Sequence, residues 1–267
     1  MRLFLVLLLA VFCSSAIAQV DQFQFQPAKI KTGVVYHYVK TNIDGTRPEN
    51  ISVYVASTDR LEVFKFHGPG TRAGFVVAQM DWKNFQAATL SSYGVFSASE
   101  QILAAQLKFD AAKKKMEVEI PAQDRPREVV EFGYLPTHLY NFDLTSLNFA
   151  FRHLKNPTSP FTIGLADPTF AQEGPAVRYR GEVEIRYTGD EKRNAHDCRK
   201  YSIAGAGLEN RNGFLWVNKQ GEHFEDLEIE LPDNPDWTTF KLNLKKMETM
   251  SADQWSQFKN DHWKQAN

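Results

Sequence analysis

Short runs of Val, Ile, Tyr and Phe, each ended by Gly, Pro, Asn or Asp, recur along most of this chain and limit what it can fold into. β-Branched and aromatic side chains suit the pleated surface of a strand, and the punctuating residues suit turns, so the pattern predicts a mainly β protein. Strands are expected near 33–40, 50–57, 60–67, 73–80, 85–93, 101–109 and 114–120, then near 178–188, 197–204, 213–219, 225–231 and 238–246. Turn chemistry separates several of them, at Asp44-Gly45, Gly68-Pro69-Gly70 and Pro232-Asp233-Asn234-Pro235. The stretch from Lys155 to Ala176 is rich in Pro and Gly. It either divides an N-terminal sheet from a C-terminal one or lies within one continuous sheet.

Two segments carry helical spacing instead. Leu144, Leu147, Phe151 and Leu154 fall on one stripe, with Asp143 placed to cap it and Asn156-Pro157 to end it. Ser251 followed by Gln254 is a capping box, and Trp255, Phe258 and His262 share the face behind it. Neither helix is long enough to stand alone, so both are expected to pack on the sheet.

The N-terminus reads as a cleavable secretory signal. Arg2 supplies the positive end, Leu3 to Phe12 an apolar core, and Ala16-Ile17-Ala18 the small residues before a cut at Gln19. That apolar core is shorter than the roughly 20 residues of a spanning helix. Cys13 follows Phe12, where a lipidated cysteine would follow a small residue, so a soluble periplasmic or secreted product is expected. The expected organisation is a signal peptide over 1–18, a loose leader over 19–29, a β domain over 30–247 and a C-terminal helix over 248–267. Basic and acidic residues nearly balance, 31 against 32, which argues against a nucleic-acid partner. Cys198 is the one cysteine beyond the signal, and its simplest role is a buried, inert thiol.

Motifs of catalysis are missing. No nucleophile elbow occurs, and the S-x-x-K match from Ser256 to Lys259 stands without companions in the terminal helix. His196 and Cys198 would share a strand face, yet two ligands do not make a metal site. His37, His67, His138, His153, His223 and His262 are scattered. Gly205-Ala206-Gly207 opens no helix and reads as a turn or bulge. Asn50-Ile51-Ser52 matches a glycosylation acceptor. The acids Glu225, Asp226, Glu228 and Glu230 interleave with Leu227, Ile229 and Leu231, as the solvent side of a half-buried strand would. Arg180, Glu182, Glu184 and Arg186 do the same against Val183, Ile185 and Tyr187. No catalytic, cofactor-binding or metal-ligating residue is assigned, and no cofactor is expected.

The segment Asp143-Leu144-Thr145-Ser146-Leu147-Asn148-Phe149-Ala150-Phe151-Arg152 resembles the D-x-x-S-x-x-Y-x-x-R-like helix of a bacterial exported family, the domain of unknown function numbered 3108. The resemblance continues through the strand Glu182 to Tyr187, Asp197-Cys198-Arg199-Lys200, Phe214-Leu215-Trp216-Val217 and Asp226 to Leu231, and more loosely through Tyr36-His37-Tyr38. Asn148 and Ala150 stand where that helix usually has aromatics. The resemblance implies a periplasmic antiparallel β fold and brings no activity or catalytic residues.

The expected architecture is an antiparallel curved sheet or partly open β-barrel, with the 144–154 helix packed on one side and a C-terminal helix. Aromatic residues make up 13% of the chain, 20 of them Phe, in an exported β protein without catalytic motifs. That surplus favours non-enzymatic binding of an amphiphilic or lipid-like envelope component. A hydrolase with dispersed carboxylates acting on a glycan or ester, and an interaction module using a β edge, are the alternatives. In the last hairpin, Leu227, Ile229 and Leu231 are expected to share the core face with Phe240, Leu242 and Leu244. The expected register sets Leu231 opposite Phe240, Glu230 opposite Lys241 and Asp226 opposite Lys245.

Overall fold

The structure is a computed structural model that describes residues 20–121, 126–169, 174–232, 234 and 236–264. The predicted signal and its cut lie outside the described residues.

The chain starts in the middle of a sheet and walks outward. Strands β1 (Val34–Thr41), β2 (Glu49–Val55), β3 (Arg60–Phe66), β4 (Ala73–Asp81), β5 (Gln86–Val95), β6 (Gln101–Asp110), β7 (Lys115–Glu119) and β8 (Glu128–Glu131) form an antiparallel meander that ends at one edge. Residues 132–136 then carry it to the opposite edge, β9 (Thr137–Leu139). Helix α1 (Thr145–Ala150) with flanking 3-10 turns crosses to β10 (Phe161–Pro168), which therefore runs parallel to β9. From there β11 (Val177–Arg193), β12 (His196–Ala204), β13 (Gly213–Asn218), β14 (Phe224–Ile229) and β15 (Phe240–Thr249) walk back to the middle, where β15 pairs with β1. Helix α2 (Ala252–Lys264) follows.

The result is one large unclosed sheet of 15 strands among the described residues, mainly β with two helices, as the sequence predicts. It is continuous, and its two halves join at β1–β15 rather than across the Pro/Gly-rich stretch. Both edges are engaged: Thr137 N–H of β9 donates to Gln86 Oε1 at 2.9 Å, and Glu128 of β8 accepts from Ala176 N–H at 2.7 Å. Engaged edges of this kind resist pairing with other chains. No helix among the described residues is long and apolar enough to cross a membrane.

The inner face of the sheet wraps α1 and carries the main core. α1 is buried all round, so its polar residues need partners inside: Ser146 Oγ is 2.8 Å from His138 Nδ1, and Asn148 donates to Tyr38 Oη at 3.0 Å. The outer face carries a second, smaller core under α2, where Trp255 stacks on Tyr54 with ring centroids 5.1 Å apart. The predicted capping box is present, with Ser251 N–H donating to Gln254 Oε1 at 2.8 Å and Gln254 N–H to Ser251 Oγ at 3.2 Å.

Several expectations need correction. The 19–29 leader is not loose over its described part: Phe23 is buried between Phe85 and Phe161, and Gln24 N–H donates to His153 O at 2.7 Å. Asp143 does not cap α1. It sits in the left-handed region at φ 52° and turns its carboxylate to two lysines. β8, β9 and β10 lie outside the predicted strands. β10 is buried on nearly every residue and so lacks alternation, and Gly164 admits no side chain, since a Cβ there would meet Thr137 Oγ1 at 2.6 Å.

The last hairpin has the predicted faces but a register two residues away. Ile229 lies opposite Phe240, Leu227 opposite Leu242, and Glu228 rather than Glu230 opposite Lys241. A shift of two keeps every side chain on its face, so the apolar pattern cannot tell the two pairings apart. The acid run is also less exposed than predicted. An irregularity between β13 and β14 accompanies the burial of both Glu225 and Asp226, while Glu228 stays half-buried and Glu230 exposed.

Candidate functional site: a hollow on the inner face

Cross-strand registry places Lys65, Gly74, Gly94 and Ile102 in one row across β3, β4, β5 and β6. The neighbouring row is Val63, Val76, Ser92 and Ala105. Directly opposed residues share a face, and Val63 and Val76 belong to the main core, so both rows lie on the inner face. Gly74 leaves its place in the first row open, whereas the Phe96 ring and Arg72 lie over Gly94, 3.1 and 3.5 Å from where a Cβ would stand. What remains is an open hollow of about 570 Å³, lined by Gly74, Gly94, Ala104, Lys65, Arg72 and Glu49 among others. Its size is that of a small-molecule site.

Apolar surface flanks the floor. Ile102 is 49% exposed and Phe96 41%, high values for large apolar side chains. Arg72 stacks over the Phe96 ring at 5.0 Å.

Behind the hollow lies a buried charge cluster. Lys40, fully buried on β1, sits 3.3 Å from the Asp143 carboxylate and 3.9 Å from Glu49, and 4.1 Å over the Trp237 ring. Lys65 also pairs with Asp143. Burial pushes the Asp143 carboxyl up, but the two ammonium groups outweigh it and hold the carboxyl below its ordinary range. Asp143 and Leu144 both adopt left-handed backbone, at φ 52° and 51°, which is costly for leucine.

The outer face carries an arrangement that no sequence motif revealed. His37 Nδ1 is 2.9 Å from Ser52 Oγ and its Nε2 is 2.9 Å from Glu248 Oε1, the order of a nucleophile, base and carboxylate. Three strands bring these residues together, so no local spacing could show them. Ser52 is 2% exposed in the interior of β2, which pairs on both sides with β1 and β3. A strand paired on both sides commits its N–H groups to the ladders and offers no oxyanion donors to a substrate. The arrangement links β1, β2 and β15 through side-chain hydrogen bonds.

The other residues singled out in the sequence fall elsewhere. Cys198 is buried, and burial followed by the Glu225 carboxylate pushes its thiol up to about 11, which disfavours the reactive thiolate. His196 and His223 both meet Glu225, at 3.0 and 3.3 Å, and no cluster that could hold a metal ion is found among the described residues. The buried carboxylates are held by cations or hydrogen bonds: Asp167 by Arg180 at 2.8 Å, Asp226 by Arg193 at 2.6 Å, and Glu225 by Asn218 at 2.7 Å as well as the histidines. Asn50 lies inside β2 with its amide near the Phe66 and His67 carbonyls, both at 3.4 Å. Gly205 precedes a 3-10 turn at φ 144°, where a Cβ would lie 2.6 Å from Glu182 O, so the turn reading of this glycine holds. A second open groove of about 560 Å³ lies on the outer face beside Arg193 and Lys241, and its lining is mainly polar.

No family model matches the chain, including that of family 3108, and no curated protein matches it. Solved structures with some likeness are a domain assigned to outer membrane lipoprotein sorting from Vibrio parahaemolyticus, lipoprotein LppX of Mycobacterium tuberculosis, and a protein of domain-of-unknown-function family 1329 from Desulfovibrio piger. They are 9%, 10% and 9% identical, cover 88%, 86% and 84% of this chain, and are themselves covered to 94%, 93% and 89%. The TM-score is 0.25 in each case, a level at which nothing about ligand or activity carries over.

Proposed function

We propose that this is an exported envelope protein that binds a small amphiphile in the inner-face hollow without turning it over. The observation that carries the reading is Gly74, whose place on the inner face stays open beside Gly94, itself covered by the Phe96 ring. Exposed Phe96 and Ile102 supply apolar contact, and charge at the rim supplies the polar end. Export rests on Arg2, the apolar run to Phe12 and Ala16-Ile17-Ala18. N-terminal sequencing of exported material should begin at Gln19, and a product starting at a lipid-modified Cys13 would overturn the soluble assignment.

Gly74→Val tests the binding. A Cβ at Gly74 meets only Lys65 Cβ, at an unstrained 3.9 Å, so valine fits and its methyls fill the floor. A β-branched residue in place of glycine within a strand should raise stability by about 0.4–1 kcal/mol. The variant should therefore fold better and bind worse. Mass spectrometry of organic extracts should find an amphiphile on the wild type purified from its native compartment and none on Gly74→Val. Equal loading of both proteins would place the ligand elsewhere.

A further inference from the structure

Among the described charged groups around the hollow, Arg72 alone is left without a carboxylate partner. Lys65 is held by Asp143, and Glu49 faces buried Lys40 at 3.9 Å. His67 stacks on Trp237 at 5.9 Å, with its Nδ1 3.1 Å from Pro48 O. Arg72 has no carboxylate partner among the described residues. Its side chain lies beside the Phe96 ring over Gly94, the ring 3.1 Å and the Arg72 Nη2 3.5 Å from where a Gly94 Cβ would stand.

We propose that the polar end of the bound amphiphile is an oxyanion, a carboxylate or a phosphate monoester, taken by the Arg72 guanidinium. The inference rests on the hollow being the ligand site. A guanidinium stacked on an aromatic ring keeps its N–H groups in the plane, free to donate a matched pair to an oxyanion. The neighbouring charges are neutralised by one another, so the net charge offered to a ligand is the single positive one of Arg72. A cationic amphiphile would leave that guanidinium opposed by a like charge, and a neutral one would leave it unused. Ile102, across the Gly94 row, then lies along the apolar part of the ligand.

The test uses a matched series, decanoate, monodecyl phosphate, decanol and decyltrimethylammonium, each titrated calorimetrically into the full mature chain below its micellar concentration. The two anions should bind at least about tenfold more tightly than decanol, the smallest gain expected of a charge-assisted hydrogen bond, and the cation more weakly than decanol. Added salt should weaken the anions alone. Arg72→Ala should abolish the preference of the anions over decanol, and Arg72→Lys should keep part of it. Whichever anion binds more tightly identifies the headgroup as carboxylate or phosphate. Equal binding of all four compounds to the wild type, or a preference that survives Arg72→Ala, would overturn the oxyanion while sparing the hollow. Failure of all four to bind, or unchanged binding to Gly74→Val, would overturn the hollow itself.

Discussion

His138 lies in β9 with no exposed surface and its Nδ1 2.8 Å from Ser146 Oγ. Burial penalises its charged form and pushes its pKa down to about 3, whereas in an unfolded chain a histidine titrates near 6.5. At pH 7.5 both states are neutral and the group contributes nothing to the pH dependence. Below pH 6.5 the unfolded chain gains a proton that the folded one refuses, so stability falls from there toward pH 3. By pH 5 the loss is about 2 kcal/mol for this one residue. Urea unfolding of wild type and His138→Gln at pH 7.5 and 5.0 should show a fall smaller by about that amount in the variant. Identical falls would mean that the imidazole is not held neutral. His153, also buried and depressed to about 3, with Arg152 beside it, adds to the wild-type loss in the same window. Nothing in the sequence singled out these two histidines from the other five, because their burial comes from strands and a leader far away along the chain.

At the scale of elements, the β14–β15 hairpin separates what a pattern can and cannot determine. Leu227, Ile229, Phe240, Leu242 and Leu244 alternate with polar residues, and all of them are buried in the main core, so the face was legible. The register was not. It depends on how the loop from Leu231 to Thr239 is laid down, where Trp237 Nε1–H donates to Arg47 O at 2.9 Å and Asn42 accepts from the Thr238 and Thr239 N–H groups. A double-mutant cycle can read the register in solution. Glu228 and Lys241 are half-exposed and 2.7 Å apart, and their coupling should be about 0.2–1 kcal/mol. Coupling between Glu230 and Lys241 should be negligible; the reverse result would restore the register expected from the sequence. The hollow was illegible for a related reason. Gly74 and Gly94 are ordinary strand glycines until pairing of β4 with β5 sets them side by side. By contrast, α2 could be read outright, because its capping box and its Trp255 and Phe258 face depend only on residues within the helix.

In the whole molecule the central pairing is also the most distant in sequence, with Val34 opposite Thr249. Such non-local pairing makes folding slow, since the chain must be nearly complete before its middle can form. The two outermost strands, on the other hand, are joined by only residues 132–136. The covalent chain is thus continuous where the sheet is interrupted, and the sheet is continuous where the chain has its two far ends. Cutting the link severs no strand and leaves β1 on one piece and β15 on the other. Fragments 20–133 and 134–267, expressed separately, should therefore recognise each other through that seam and reassemble on mixing. Recovery of a single complex by size-exclusion chromatography, with the circular dichroism of the intact chain, would show it, and fragments that stay apart would mean that the link itself holds the halves in place. A protein built this way is a natural two-part reporter, with complementary halves whose meeting rebuilds both the sheet and the helix-filled interior.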